Sequence, residues 1–363
     1  MAQVGPTQTW DDVAFLGTPP AKPRPATSRA TCDGTTPASL LVDRFGRVHS
    51  DLRISVTDRC DLRCRYCMPA EGLTWAPRST VLTFEEIVRF VSVLRPLGVE
   101  TIRITGGEPL VRHDLPRLIA LLAETGISEI AMTTNGVSLA KHAVALRNAG
   151  LARLNVSCDS LRPDRFIQMT RRDRLEDVLA GMDAAERAGF PPVKVNTVLV
   201  KGWNDDEIID FADFAFRTGR TVRFIEFMPL DADELWREGS VVPGHEVVDV
   251  IAQRYDLVRL ARSNEPAQTF GLVGSNGRIG VISSMTDQFC ASCNRIRLTA
   301  DGQLRNCLFG NEEVSIRDAI RSGASDADIA ALAAGCVSVK KAHHGTDELA
   351  VARPTRSMSQ QGG

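Results

Sequence analysis

A chain of 363 residues with 43 basic and 45 acidic side chains has a formal charge of -2, so nothing global attracts it to nucleic acid or to an anionic membrane. Its 43% hydrophobic and 24% charged residues are ordinary for a soluble globular protein, and no run of about 18 apolar residues exists to span a bilayer. Nine cysteines are too few for a disulfide scaffold at this length, and MAQVGPTQTW lacks the basic and apolar regions of an export signal. The expectation is a cytoplasmic protein that uses cysteine for metal.

Residues 1–40, rich in Pro, Thr and Ala and without hydrophobic period, read as a disordered tail in which Cys32 has little prospect as a ligand. From residue 52 a rhythm sets in. Strands are predicted at LRISV (52–56), TIRIT (101–105), EIAMTT (129–134), RLNVSC (153–158), VKVNTVLV (193–200) and TVRFIEF (221–227). Between them run helices that stop at Gly98, Gly126, Gly150, Gly189 and Gly219, each suited to a left-handed helix end. Thr83 with Glu86, and Asn204 with Glu207, have the spacing of capping boxes.

Strands joined by helical crossovers lie parallel, and six such units in series predict a partial or complete barrel. Functional residues are then expected just past the C-terminal strand ends, at one mouth. After about residue 235 the pattern changes to a helix (245–255), the short strands TFGLV and RIGVIS, and a hairpin turning at Asp301-Gly302. A type I turn with a bulge at Gly302 sets Cys307 opposite Arg295, and a two-residue turn sets it opposite Ile296. Either brings Cys307 back to Cys290 and Cys293. The chain is expected to divide into a tail (1–40), a barrel (41–235), a C-terminal region (236–340) and a second tail (341–363).

Six cysteines fall into two groups of three, Cys60, Cys64 and Cys67 as C-x3-C-x2-C, and Cys290, Cys293 and Cys307 as C-x2-C-x13-C. Thiolates this close bind zinc or iron–sulfur clusters, and structural zinc needs a fourth ligand that neither group supplies. No histidine lies between residues 50 and 112. Three cysteines on a cubane cluster leave one iron open to another molecule. His343 and His344 are read as a solvated surface pair, and Cys158 and Cys336 as bystanders.

The first loop, at the end of the first strand with Tyr66 before its last cysteine, resembles the radical S-adenosylmethionine (SAM) superfamily, and TGGEP (105–109) at the next strand end supports the likeness. The resemblance implies a partial (β/α)6 TIM-like barrel with a C-terminal α+β extension, a 4Fe-4S cluster whose open iron chelates SAM, and its cleavage to a 5′-deoxyadenosyl radical. SVTDRCDLRCRYCMP, CASCNRIRLTADGQLRNCLF and the final Gly-Gly together resemble the GTP 3′,8-cyclase family, which opens molybdenum-cofactor biosynthesis. That likeness covers residues 45–363.

It implies a second 4Fe-4S cluster on Cys290, Cys293 and Cys307 that binds the guanine of GTP, ribose C3′ hydrogen abstraction, and attack of that carbon on guanine C8. By position it carries SAM contacts over to Tyr66, Gly107, Ser157 and Met228. GTP contacts carry over to Arg53, Arg103, Thr134, Lys194, Arg223, Arg295 and Arg297, and a catalytic role to Arg295, Arg297, Gly362 and Gly363. The implied partners are cyclic pyranopterin monophosphate synthase, a flavodoxin or ferredoxin donor and a second copy of the chain. Gln361 stands where the family commonly has Ile, Thr101 where it often has Lys, and Asp61 where it often has Asn.

Arg53, Arg103, Lys194 and Arg223 alternate within otherwise apolar strands, which favours a pocket for an anion over four separate surface side chains. The alternatives are another radical SAM enzyme with an auxiliary cluster, such as a peptide maturase, and a non-catalytic iron–sulfur or zinc protein.

Overall fold

The computed structural model describes residues 40–230, 235–262, 265–343 and 356–361. The N-terminal tail up to residue 39, Cys32, His344 and the Gly362–Gly363 pair lie outside the described residues.

The predicted rhythm is realised as β1 (Asp51–Ser55), α1 (Phe84–Leu94), β2 (Thr101–Thr105), α2 (Leu115–Glu124), β3 (Glu129–Thr134), α3 (Leu139–Asn148), β4 (Arg153–Ser157), α4 (Pro163–Thr170), α5 (Leu175–Arg187), β5 (Lys194–Leu199), α6 (Ile208–Thr218) and β6 (Thr221–Glu226). Helix α1 shows why. Phe84, Ile87, Phe90, Val91 and Leu94 recur at helical spacing and are all buried, and Thr83 and Glu86 form the expected capping box. All five predicted glycine stops have positive φ, between 72 and 102°.

β1 to β6 lie side by side and parallel, in chain order. The C-terminal region then follows as α7 (Gly244–Ala252), β7 (Leu257–Arg259), β8 (Gln268–Leu272), β9 (Arg278–Ile282), β10 (Arg295–Leu298), β11 (Gln303–Arg305), β12 (Val314–Ser315), α8 (Ile316–Arg321), α9 (Asp326–Ser338) and α10 (Met358–Gln361). It continues the same sheet at both edges. β9 pairs parallel with β6, and β10 parallel with β1, giving twelve strands in the order β12-β11-β10-β1-β2-β3-β4-β5-β6-β9-β8-β7. Among the described residues the hydrogen bonds do not close, so the sheet is a partial barrel.

The outward side chains, among them Leu52, Ile54, Ile102, Ile104, Met132, Val156, Val195 and Phe224, form the core beneath the helices. The hairpin register Arg297↔Arg305 and Leu298↔Leu304, with Gly302 at φ 79°, corresponds to the bulged turn, and its continuation sets Cys307 opposite Arg295. Because β10 runs parallel to β1, Cys290 and Cys293 lie before its start, at the N-terminal end of the strands. The expectation of one functional mouth is therefore corrected: the first cysteine group follows the C-terminal end of β1, and the second lies at the opposite end. A five-residue strand such as β1 rises about 17 Å between them.

A second correction concerns Asn204 and Glu207, which form no capping box. Asn204 Oδ1 accepts from Val200 N at 2.9 Å, and its Nδ2 donates to the carbonyls of Asp159 and Val198. The fully buried Glu207 accepts from Ser160 Oγ and Leu161 N, both at 2.8 Å. Both side chains tie the exit of β4 to that of β5 instead of a helix start. Glu207→Ala should lower unfolding stability by about 2–4 kcal/mol, because it strips acceptors from buried donors. Urea denaturation with an unchanged slope checks this, and a change below about 1 kcal/mol contradicts it.

Candidate active site

Inside the curved sheet is a cavity of about 660 Å³. Alternate strand positions line it: Asp51 and Arg53 on β1, Arg103 on β2, Glu129 and Ala131 on β3, Arg153, Asn155 and Ser157 on β4, Asn196 and Val198 on β5, Arg223 and Ile225 on β6, and Arg295 and Arg297 on β10. Buried parallel strands are ordinarily apolar on both faces. Here one face is apolar and the other carries charge, so the barrel interior is a chamber and not a core.

The register arranges that charge. Arg297, Arg53, Arg103, Ala131 and Arg153 are successive cross-strand partners from β10 to β4. One step toward the N-terminal strand end, Arg295, Asp51, Thr101 and Glu129 form a second row, of mixed sign. Like charges directly opposite each other destabilise a sheet. Buried guanidinium nitrogens of the arginine row, Arg53 Nε and Arg103 Nε and Nη1, have no hydrogen-bond partner. A chamber with such donors turned inward is built for an anion.

At the C-terminal mouth, the loop with Cys60, Cys64 and Cys67 is clamped on two sides. Arg63 N and Arg65 N donate to the carbonyls of Thr170 and Met169, and Gly107 N and Glu108 N donate to those of Thr57 and Arg59. A Cβ on Gly107 would fall well inside van der Waals contact of the Arg59 carbonyl. The glycine therefore serves the cysteine loop as well as the cavity, whereas the sequence pointed only to a close approach by ligand. Buried Glu108 accepts from Leu110 N, Thr134 Oγ and Asn135 N, and Asn135 Nδ2 donates to Asp61 Oδ1 at 2.6 Å. Burial pushes the Glu108 carboxyl up to about 7, against those hydrogen bonds. Tyr66 donates to Asp159 Oδ2 at 2.7 Å, and Ser157 and Met228 also line the cavity.

Residues 356–361 of the second tail pack at this mouth. Arg356 pairs with Asp301 at the hairpin tip (2.9 Å) and with Glu313 (2.6 Å), and Met358 and Ser359 line the cavity. Gln361 is fully buried, its Nε2 donating to Arg356 O at 2.5 Å while its Oε1 has no hydrogen-bond partner, so the polar side chain is only half satisfied where the family commonly has Ile.

At the other end, Arg47 Nη1 donates to Cys290 O at 2.7 Å, and Lys340 Nζ reaches Cys293 Sγ at 3.4 Å and Arg295 O at 2.7 Å. Burial pushes the Cys293 thiol up, but Arg295 and Lys340 outweigh it and bring it to about 6.

The eight described cysteines form no disulfide with one another, and both groups of three line the same cavity. Among the described residues, no His, Cys, Asp or Glu trio is arranged to hold a single metal ion. A cubane cluster takes its sulfurs at separate corners, farther apart than the ligands of one ion. His343 is exposed, and Cys158 and Cys336 are buried.

Of the described site residues anticipated from sequence, all but Lys194 line the cavity. Lys194 shares the inward parity of Asn196, and its Nζ donates to Glu265 at 2.7 Å. Glu265, Arg153, Asp159 and Lys340 were missed. Arg153 had a legible signal, since it opens RLNVSC with the same inward alternation as Arg53 and Arg103. Glu265 lies in the irregular segment SNEPAQ, where no periodicity fixes direction. Burial raises its carboxyl, but Arg223, Lys194 and Arg153 hold it at about 2.

Residues 54–215 match the family model of the radical SAM superfamily, and residues 220–346 match that of Molybdenum Cofactor Synthesis C. A GTP 3′,8-cyclase of Rhodopirellula baltica is 47% identical over 89% of this chain and 92% of its own. The chain belongs to the GTP 3′,8-cyclase family. Other members, from Corynebacterium glutamicum and Streptomyces coelicolor, are 43% and 46% identical over 95% and 90% of this chain, and 98% and 97% of theirs. Among solved structures, SuiB of Streptococcus suis bound to S-adenosylmethionine has a TM-score of 0.52 at 16% identity. It matches over 74% of this chain, which spans 64% of SuiB, a likeness of fold alone. As a radical SAM family member the protein uses a 4Fe-4S cluster and SAM. No described helix is long and apolar enough to cross a membrane.

Burial, then the charge of Arg223, lowers the Lys194 ammonium from 10.5 to about 8, with Glu265 partly offsetting them. The site accordingly loses one positive charge as pH rises through about 8, while its arginines stay charged. Affinity for inorganic tripolyphosphate should fall by about three- to tenfold between roughly pH 7 and 9, and Lys194→Arg should flatten that fall. Calorimetric titration across that range checks it; a wild-type profile as flat as the variant's contradicts it.

Proposed function

We propose that this chain performs the reaction its relatives are named for, cyclising GTP between ribose C3′ and guanine C8 in the first step of molybdenum-cofactor biosynthesis. The observation that carries the reading is the arginine row inside a chamber with a three-cysteine group at each end. When bound, the first cluster and SAM supply a 5′-deoxyadenosyl radical for abstraction of the C3′ hydrogen.

In this reading Cys60, Cys64 and Cys67 hold that cluster, and Tyr66, Gly107, Ser157 and Met228 hold SAM. The Gly107 backbone receives the amino group. Cys290, Cys293 and Cys307 would hold a second 4Fe-4S cluster, whose open iron would supply a site for the guanine. Arg53, Arg103, Lys194, Arg223, Arg295 and Arg297 bind GTP by planar or point-charge donation to its oxygens. Thr134 gives its hydroxyl to Glu108 and accepts from Gly136 N, so it meets GTP through its methyl or backbone. Arg295 and Arg297 also act on the reacting nucleotide, and a catalytic role is assigned to Gly362 and Gly363 by their match to the family's terminal glycine pair.

The walls serve the chemistry by excluding water and competing hydrogen donors from a carbon radical. The barrel carries SAM chemistry on residues 41–235, and residues 236–340 carry the second cluster. A one-electron donor of the flavodoxin or ferredoxin type, use of the product by cyclic pyranopterin monophosphate synthase, and a homodimer complete the proposal.

Anaerobic single turnover with SAM, a strong reductant and GTP deuterated at ribose C3′ tests it. Deuterium in the 5′-deoxyadenosine, read by mass spectrometry, is the expected result. Unlabelled 5′-deoxyadenosine would overturn GTP C3′ as the site of abstraction while leaving SAM cleavage intact.

A further inference from the structure

Glu265 puts a carboxylate where the proposed substrate needs cations. Its Oε1 accepts from Lys194 Nζ at 2.7 Å and faces Arg153 Nη1 at 3.2 Å, and its Oε2 pairs with Arg223 Nη2. One carboxylate thus answers three cationic heads. Even so, buried donors remain without acceptors around it, namely Arg223 Nε and Arg153 Nε, with Arg103 Nε and Nη1 alongside. The seat attracts an anion with more charge and more oxygens than a side chain provides.

We propose that Glu265 is a specificity-determining residue that occupies the seat of a substrate phosphate and is displaced by it. The proposal rests on the reading that this chamber takes a nucleoside triphosphate. A terminal phosphate brings about -1.5 to -2 charges and three acceptor oxygens, against one charge and two oxygens for the carboxylate. The exchange therefore favours a polyphosphate and offers nothing to a ligand that lacks one. The Glu265 side chain is 32% exposed, lines the chamber and lies outside the strands, so its displacement need not disturb the sheet. Were it to stay, it would stand beside the incoming phosphate as a like charge in a half-buried site.

Calorimetric titration of wild type, Glu265→Gln and Glu265→Asp with inorganic tripolyphosphate, GTP and guanosine tests this. Glu265→Gln should bind tripolyphosphate and GTP about tenfold more tightly, with guanosine unchanged and the gain shrinking as salt is raised. Glu265→Asp, which draws the charge back by one methylene, should gain about threefold and carries the same test if the amide variant fails to fold.

Equal or weaker tripolyphosphate binding by the variants would overturn the proposal and make Glu265 a strut that spaces the cations. Tighter tripolyphosphate binding, with GTP no better a ligand than tripolyphosphate, would uphold the phosphate seat and reject GTP as the substrate.

Discussion

Four arginines of one cross-strand row, on the inward face of a parallel sheet, are the constraint to which the rest of this molecule answers. Neighbouring strands lie about 5 Å apart, so two adjacent guanidiniums at an effective dielectric near 20 repel by about 3 kcal/mol before they splay. Burial adds to the cost, and it lowers the Arg297 guanidinium to about 10. The sheet tolerates the row because its other face is an uninterrupted apolar layer under the helices, and because Asp51, Glu129 and Glu265 stand among the cations. What those carboxylates leave unanswered is available to a ligand.

The two edges of the sheet complete the chamber. A barrel built from β1 to β6 alone would end in unpaired strands and supply one cysteine group. β10 pairs with β1, places Arg295 and Arg297 beside Asp51 and Arg53, and brings the second group to the far end. The hairpin tip at Asp301 stays at the first mouth and anchors the second tail through Arg356. One short strand therefore links both cysteine groups, the arginine row and the tail.

Much of this was legible in the sequence because periodicity and spacing are local. The alternation of Arg53, Arg103 and Arg223 marked inward faces, and glycine stops marked the crossovers. The bulged turn at Gly302 was one of two registers the hairpin allowed. What was not legible depends on distant chain segments. Strand direction at β10 put the second group at the opposite end from the first. Asn204 and Glu207 had capping spacing, yet their buried surroundings drew them to the β4 and β5 exits. Glu265 sits in an irregular segment whose partners come from three separate strands.

The central claim is that two separate clusters face one chamber. Its most direct test is iron and sulfide analysis, with Mössbauer spectroscopy, of anaerobically reconstituted wild type and of two triple variants, Cys60/Cys64/Cys67→Ala and Cys290/Cys293/Cys307→Ala. Two independent sites predict about eight irons in the wild type and about four in each variant, all with the signature of 4Fe-4S clusters. Zinc in place of iron, or the loss of all iron from either variant, would contradict the account.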